Sequence, residues 1–354
     1  MVALAHRIVE IDGAHGEGGG QLVRTAVGLA GITGTPIAIA SIRARREKPG
    51  LQPQHVAAIK AVAALCDADV AGLSVGSTRM EFTPHALSGG VHRFDVGTAG
   101  SVALVAQALL PVMISAGVAS QVVLVGGTDV PLAPPVDYLC SVLLWLLQRM
   151  GARVEVRVRR RGYYPRGGGE IEVEVGPGTL RPLILGTCGT VTAVRGCAHV
   201  ANLPASVAGR MHRGAVQRLR LGGIRTVEIE ARVLGPGDAI GQGGAIVAYA
   251  ETDATRFGAA RVAERGVRAE DLGEAVGAEL SADALSDAAL DVHAADQILI
   301  YLALAGGGGF TVRTVSSHAR TAMWLIEQFL PVRFTVEERG RLARVSVVPR
   351  HNHE

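Results

Sequence analysis

The chain has 354 residues, 48% hydrophobic and 19% charged, with 46 glycines. Its 35 Lys and Arg against 32 Asp and Glu leave a net charge of +3. Such a composition excludes an intrinsically disordered chain and is too mild to indicate a nucleic-acid binder that works through bulk charge. The length suits one large domain plus a smaller one.

The positive charge is almost all arginine, since the only lysines are Lys48 and Lys60. Arginines gather at 43–46 and at 157–161, where the side chain suits bidentate phosphate recognition and equally a solvated face. Cys66, Cys140, Cys188 and Cys197 form no C-x-x-C pair, so reduced structural thiols in a cytoplasmic compartment are expected, and no cysteine metal cluster. The amino-terminal residues reach His6 and Arg7 without an apolar core, which argues against a signal peptide. Residues 102–114 form the longest apolar run, but they contain Gln107 and Pro111 and are too few to span a bilayer.

In chain order, one plan recurs three times. The first copy reads as a strand at 8–12, a glycine loop at 13–20, an apolar helix at 21–31, and a strand at 36–42. A second helix at 54–66 and strands at 70–75 and 79–82 complete it. The second copy has a strand at 93–96, a turn at 97–100, a helix at 101–114 and a strand at 121–125. Its second helix is at 134–150, and its closing strands are at 153–159 and 170–175. The third has a helix at 294–304, a turn at 306–309, a strand at 310–315, a helix at 318–329, and strands at 332–336 and 343–347. Between the second and third copies, residues 184–286 follow another rhythm, with strands at 190–199, 225–232 and 245–251 and helices at 204–219 and 269–285. They read as a small domain inserted within the third copy at Gly/Pro-rich borders. The expected class is α/β of the α+β type: a large three-repeat domain of residues 1–183 and 287–354, and a small inserted domain of residues 184–286.

Corresponding helix ends of related units converge, so Glu17, Arg24, Gln54, Gln107, Pro134, Asp296 and His318 are expected to share one cleft. The last helix places Ala322, Leu325, Ile326 and Phe329 on one apolar face. Ser316 or Ser317 can cap it, which sets His318 where free N–H groups and the dipole favour a phosphate. A histidine at a helix start is commonly only a solvated or capping side chain, and a nucleophilic role needs further support. Glu17 and Arg24, seven residues apart, face the same side if the helix starts near Gly18. A buried amide such as Gln107 needs partners.

The glycine loop fits neither G-x-x-x-x-G-K-[ST] nor G-x-G-x-x-G, which disfavours a P-loop ATPase and a dinucleotide dehydrogenase. Scarcity of lysine also disfavours a lysine-adenylate ligase, leaving histidine as the better nucleophile for nucleotidyl transfer.

The sharpest local pattern is Arg161-Gly162-Tyr163-Tyr164-Pro165-Arg166-Gly167-Gly168-Gly169-Glu170-Ile171, a glycine-rich hairpin loop flanked by arginines. Here the chain resembles the RNA 3′-terminal phosphate cyclases, whose R-G-x-x-P-x-G-G-G-x-[ILV] signature it matches. The resemblance extends to residues 12–21, to 43–50 with Gln54-His55, to Gly126-Gly127-Thr128-Asp129, to Ala295-Asp296-Gln297 and to 318–331. It is weakest across 184–286.

This resemblance implies repeats like the carboxy-terminal domain of translation initiation factor 3 and a thioredoxin-like insertion. It implies ATP-dependent conversion of an RNA 3′-phosphate end to a 2′,3′-cyclic phosphate through a histidine–AMP intermediate and an RNA adenylate. His318 matches the nucleophile. Arg24, Arg43, Arg46 and Gln54 would hold phosphates, Glu17 would bind a divalent metal (Mg²⁺ or Mn²⁺), and Gln107, Pro134, His293 and Asp296 would line the nucleotide pocket. His293 departs from the family's frequent tyrosine, which bears on base selectivity. The implied partners are ATP and RNA with a 3′-phosphate end, with no membrane, and the oligomeric state stays open, a homodimer included. Competing expectations are a non-catalytic ribosome-assembly relative of the same fold, an enolpyruvyl-transferase-like enzyme, and a plain RNA-binding module.

Overall fold

The computed structural model describes residues 8–350. Its first unit runs β1 (Val9–Asp12), α1 (Gly20–Thr33), β2 (Ile37–Ala40), α2 (Pro53–Leu65), β3 (Asp69–Ala71) and β4 (Met80–Thr83). The second runs β5 (Gly90–Asp95), α3 (Val102–Ala116), β6 (Ser120–Gly126), then α4 (Val136–Tyr138), a π-turn (Leu139–Leu143) and α5 (Leu144–Arg149), and finally β7 (Arg153–Gly162) and β8 (Gly169–Gly176). β9 (Leu183–Leu185) follows, a strand that sequence patterning does not register.

The next stretch comprises β10 (Val191–Ala201), α6 (Ala205–Leu221), β11 (Val227–Leu234), β12 (Ala239–Ile240), β13 (Gly243–Thr252), β14 (Arg256–Val262) and α7 (Ala269–Ser286). The last is α8 (Val292–Leu304), β15 (Gly308–Val312), α9 (Ser317–Ile326), β16 (Val332–Arg339) and β17 (Leu342–Pro349).

Three sheets share one order. They are β1-β2-β4-β3, β5-β6-β8-β7 with β12 added at the β7 edge, and β9-β15-β17-β16. In each, the first two strands are parallel and the next two pairs antiparallel, and the added β12 runs parallel to β7. In the third, β9 pairs with β15 at Leu183↔Gly308, so the first strand of that unit precedes the long intervening stretch and its helices follow it. A fourth sheet, β11-β10-β13-β14, belongs to that stretch.

Two main apolar cores result. The larger joins the helices and sheets of the three units, and the second joins α6 and α7 to β10, β13 and β14. Helix ends follow local chemistry. Ser101 caps α3 by accepting from Leu104 N at 3.2 Å, and Gly34 and Gly117 end α1 and α3 at φ 66° and 67°, a conformation without penalty for glycine. α9 ends at Ile326, three residues before the expected Phe329. Phe329 and Leu330 both donate to the Ile326 carbonyl, and Pro331 forbids another turn.

Candidate active site

The glycine loop between β1 and α1 is locked against α9. His15 stacks on Trp324 with ring centroids 3.6 Å apart and planes 16° apart. Glu17 N–H donates to Thr321 Oγ1 at 3.3 Å, and Gly16 sits at φ 57°, where a Cβ would lie 2.3 Å from that oxygen. Only glycine allows this approach. α1 begins at Gly20, so Glu17 lies in the loop and shares no helical face with Arg24; the spacing argument fails, yet both face the same cavity.

That cavity, about 600 Å³, is bounded by all three units. Lining it are Glu17, Arg24, Arg43, Arg46, Gln54, Gln107, Pro134, His293, Asp296 and His318. The ten residues singled out from the sequence thus meet in one place.

Ser316 caps α9, accepting from Ala319 N at 2.9 Å and donating to Asp296 Oδ1 at 2.6 Å. His318 follows in the first turn. Its Nδ1 is buried, 2.5 Å from Glu17 Oε2 but off the axis of a hydrogen bond, while the side chain as a whole is 44% exposed. The remaining edge of the ring, with Nε2, is therefore the accessible one. Burial lowers the His318 pKa from 6.5; Asp296 opposes this, and Arg46, Arg24 and His293 reinforce it. A neutral imidazole with Nδ1 turned to a carboxylate presents the Nε2 lone pair, the arrangement of an oriented nucleophile.

Basic groups stand opposite. Burial pulls the Arg24 pKa down to about 10, and among the described residues no carboxylate pairs with it. Arg46 pairs with Glu17 Oε1. Arg43, at φ 53°, donates to the carbonyls of Lys48 at 2.6 Å and Gly50 at 2.9 Å, shaping its own loop. Gln54 Oε1 accepts from Ser101 N at 3.4 Å, which ties α2 to the start of α3. Also on the cavity wall, Gln107 Nε2 and Gln297 Oε1 are buried with no partner among the described residues, a donor and an acceptor left for a ligand. His293 meets Tyr138 edge-on at 6.3 Å.

Several lining residues escaped the sequence reading. His55 accepts from Gln52 N at 3.0 Å through Nδ1, and burial followed by Arg24 and Arg43 drives its pKa to about 3. It therefore stays neutral. Its Nε2 approaches Gly20, where a Cβ would lie 2.0 Å away. Arg261 and Glu264 reach the cavity from β14 and its exit, and the alternation of that strand is too weak to announce it.

As a metal site the cavity is sparse. Glu17 is engaged by Arg46 and His318, and the only group of three candidate ligands among the described residues lies elsewhere. One carboxylate fits a Mg²⁺ or Mn²⁺ ion that takes its other ligands from substrate phosphates and water, and does not fit a resident all-protein cage.

A family model described as RNA 3′-terminal phosphate cyclase matches residues 15–336. The chain belongs to that family. An RNA 3′-terminal phosphate cyclase of Nitrosospira multiformis is 50% identical over 345 residues, covering 97% of each chain. Those of Pyrobaculum neutrophilum and Methanopyrus kandleri are 42% and 44% identical, each covering 94% of this chain and 96% of the relative. It is thus a member of an enzyme family, the cyclases, and in this cyclase-family chain the glycine loop from His15 onward, α9 and the signature hairpin fall within the matched span. Among the described residues no helix is long and apolar enough to cross a membrane.

Proposed function

We propose that this chain converts RNA 3′-phosphate ends to 2′,3′-cyclic phosphates at the expense of ATP, with His318 as the covalent carrier of AMP. The observation that carries this reading is the neutral, half-exposed imidazole at the start of α9, beside Glu17 and in one cavity with Arg24, which pairs with no carboxylate among the described residues. A non-catalytic scaffold has no use for a half-buried cation without a counter-ion among the described residues.

His318 Nε2 attacks the α-phosphorus of ATP, forming a P–N bond as pyrophosphate leaves. The RNA 3′-phosphate oxygen then displaces His318, breaking the P–N bond and forming a phosphoanhydride. Last, the 2′-hydroxyl loses its proton and attacks the 3′-phosphorus, and AMP departs. Activation is needed because a phosphate monoester dianion repels nucleophiles and lacks a good leaving group, whereas ring closure needs little beyond positioning. Arg24, Arg43 and Arg46 would neutralise phosphates, with Gln54 and His55 as neutral donors. Glu17 would hold a divalent ion that adds charge neutralisation on the phosphates. Gln107, Pro134, His293 and Asp296 would surround the nucleoside.

The shared strand order supports reading the units as initiation-factor-3-like repeats of residues 1–183 and 287–354. The separate second core supports a thioredoxin-like insertion of residues 184–286. A cytoplasmic location and RNA as partner belong to the same reading. The test is a 3′-phosphorylated oligoribonucleotide incubated with ATP and Mg²⁺ or Mn²⁺: its end should become phosphatase-resistant. An end that stays phosphatase-sensitive under every metal refutes the proposal.

A further inference from the structure

Outside the cavity, a cluster of charged groups lies where β10 meets the second unit. Asp129 and Asp137 flank the loop 130–136, whose base is closed by Val136 N–H donating to the Thr128 carbonyl at 3.1 Å. Between them Pro131, Leu132, Ala133, Pro134 and Pro135 form one wall of the cavity, and Leu132 at its tip is held at φ 62°.

Arg161 grips both ends of this loop. Its Nη1 donates to the two Asp129 oxygens at 3.1 and 3.3 Å, and its Nη2 to those of Asp137 at 2.7 and 2.8 Å. His199 of β10, 1% exposed, lies between the carboxylates, Nε2 3.7 Å from Asp129 and Nδ1 3.7 Å from Asp137, with neither nitrogen hydrogen-bonded. Asp129, Asp137 and His199 place donor atoms within 4.8 Å of one another, the composition of a metal site. The Arg161 fork already engages every carboxylate oxygen and puts a fixed cation among them, so a second cation is not favoured there. What remains is a mechanical joint. Its other half comes from the inserted stretch: Arg161 N–H donates to the Asp238 carbonyl at 2.8 Å, and β12 pairs with β7 at Ala239↔Arg161.

We propose that Arg161 is a positioning residue for the nucleotide. By clamping Asp129 and Asp137 it fixes the proline-rich loop, and Pro134 with it, as a rigid wall of the cavity, and the inserted stretch sets the clamp through Asp238 and His199. Loss of the clamp lets the wall drift, which weakens nucleotide binding and leaves the chemistry at His318 intact. The inference rests on the proposed use of ATP in this cavity.

Asp137→Asn removes the charge and one of the two oxygens that hold Arg161 Nη2, so the clamp grips firmly only at Asp129. In the full-length protein, backbone amide exchange across 130–138 should quicken about tenfold, KM for ATP should rise about tenfold, and kcat should stay within about twofold. Asp137→Glu should restore most of the loss. Where Asp137→Asn yields no folded protein, Arg161→Lys, which keeps the charge and loses the fork, carries the same expectations. Unchanged exchange in the loop, an unchanged KM for ATP, or a fall in kcat with KM unaltered overturns the clamp. Wild-type protein that takes no AMP from ATP would instead overturn the nucleotide reading, and the exchange measurement still decides whether Arg161 holds the loop.

Discussion

Arg24 and Arg161 are both drawn out of water, and they meet opposite conditions. Around Arg24 there is burial with no compensating carboxylate, and its pKa falls to about 10. Burial acts on Arg161 too, but Asp129 and Asp137 more than reverse it and its pKa rises. A buried cation with two anions is a structural fixture, whereas one with none is a vacancy for a ligand's charge. The contrast distinguishes binding groups from framework better than the clustering of arginines along the chain.

The largest expected effect concerns His318, which shares the cavity with Arg24. His318→Ala should abolish the acid-labile, base-stable AMP that labelled ATP leaves on the protein, a loss of about 10⁴-fold or more. Label retained by the variant would move the nucleophile elsewhere.

Next comes the comparison itself. Arg24→Met should cut kcat/KM about 100-fold and yet raise Tm by about 2–4 °C, because an uncompensated charge leaves the interior. Arg161→Met should instead destabilise the protein by about 3–5 kcal/mol, measured by denaturant unfolding, because it strands two carboxylates. If both variants lose stability, Arg24 has a counter-ion in the free protein and the distinction collapses.

A smaller effect concerns pH. The His318 pKa is lowered from 6.5, so its neutral, reactive form persists at pH 6.5 and is lost only as pH falls through the lower value. Adenylate formation should therefore show its acid limb below pH 6.5. Since Arg46 helps to depress this pKa, Arg46→Met should move the limb upward toward 6.5. A limb that stays in place or moves down would show that the ring does not sense Arg46.

The smallest contrast is between two exposed clusters. Arg43→Ala should raise KM for the RNA end about tenfold, while Arg159→Ala should change it by less than about twofold. Arg159 is 54% exposed and pairs with Glu172 on the second sheet. Equal losses would mean that both clusters touch RNA.

The sequence made the repeated units legible because their helices and strands carry full local periodicity, and the ten cavity residues followed from motif order. Local pattern could not reveal β9, three residues whose partner strand lies beyond the inserted stretch. Nor could it reveal β14, where Phe257, Gly258 and Ala259 are buried in succession and the alternation disappears. The Arg161 clamp was hidden for a related reason. Its arginine sits in the signature, but Asp129, Asp137 and His199 reach it through tertiary packing, and an acid in the first turn of a helix, as Asp137 is in α4, is ordinary. Glu17 was found for the wrong reason, since loop geometry rather than helical phase brings it to His318.

Pairing of Leu183 with Gly308 governs the order in which the molecule is completed during synthesis. The first two sheets can close on residues already made, but the third must leave its opening strand waiting until the intervening stretch and α8 have emerged. His318 lies downstream of that closure. The nascent chain therefore carries the arginines of its cleft well before the walls that complete it and the group that would react there.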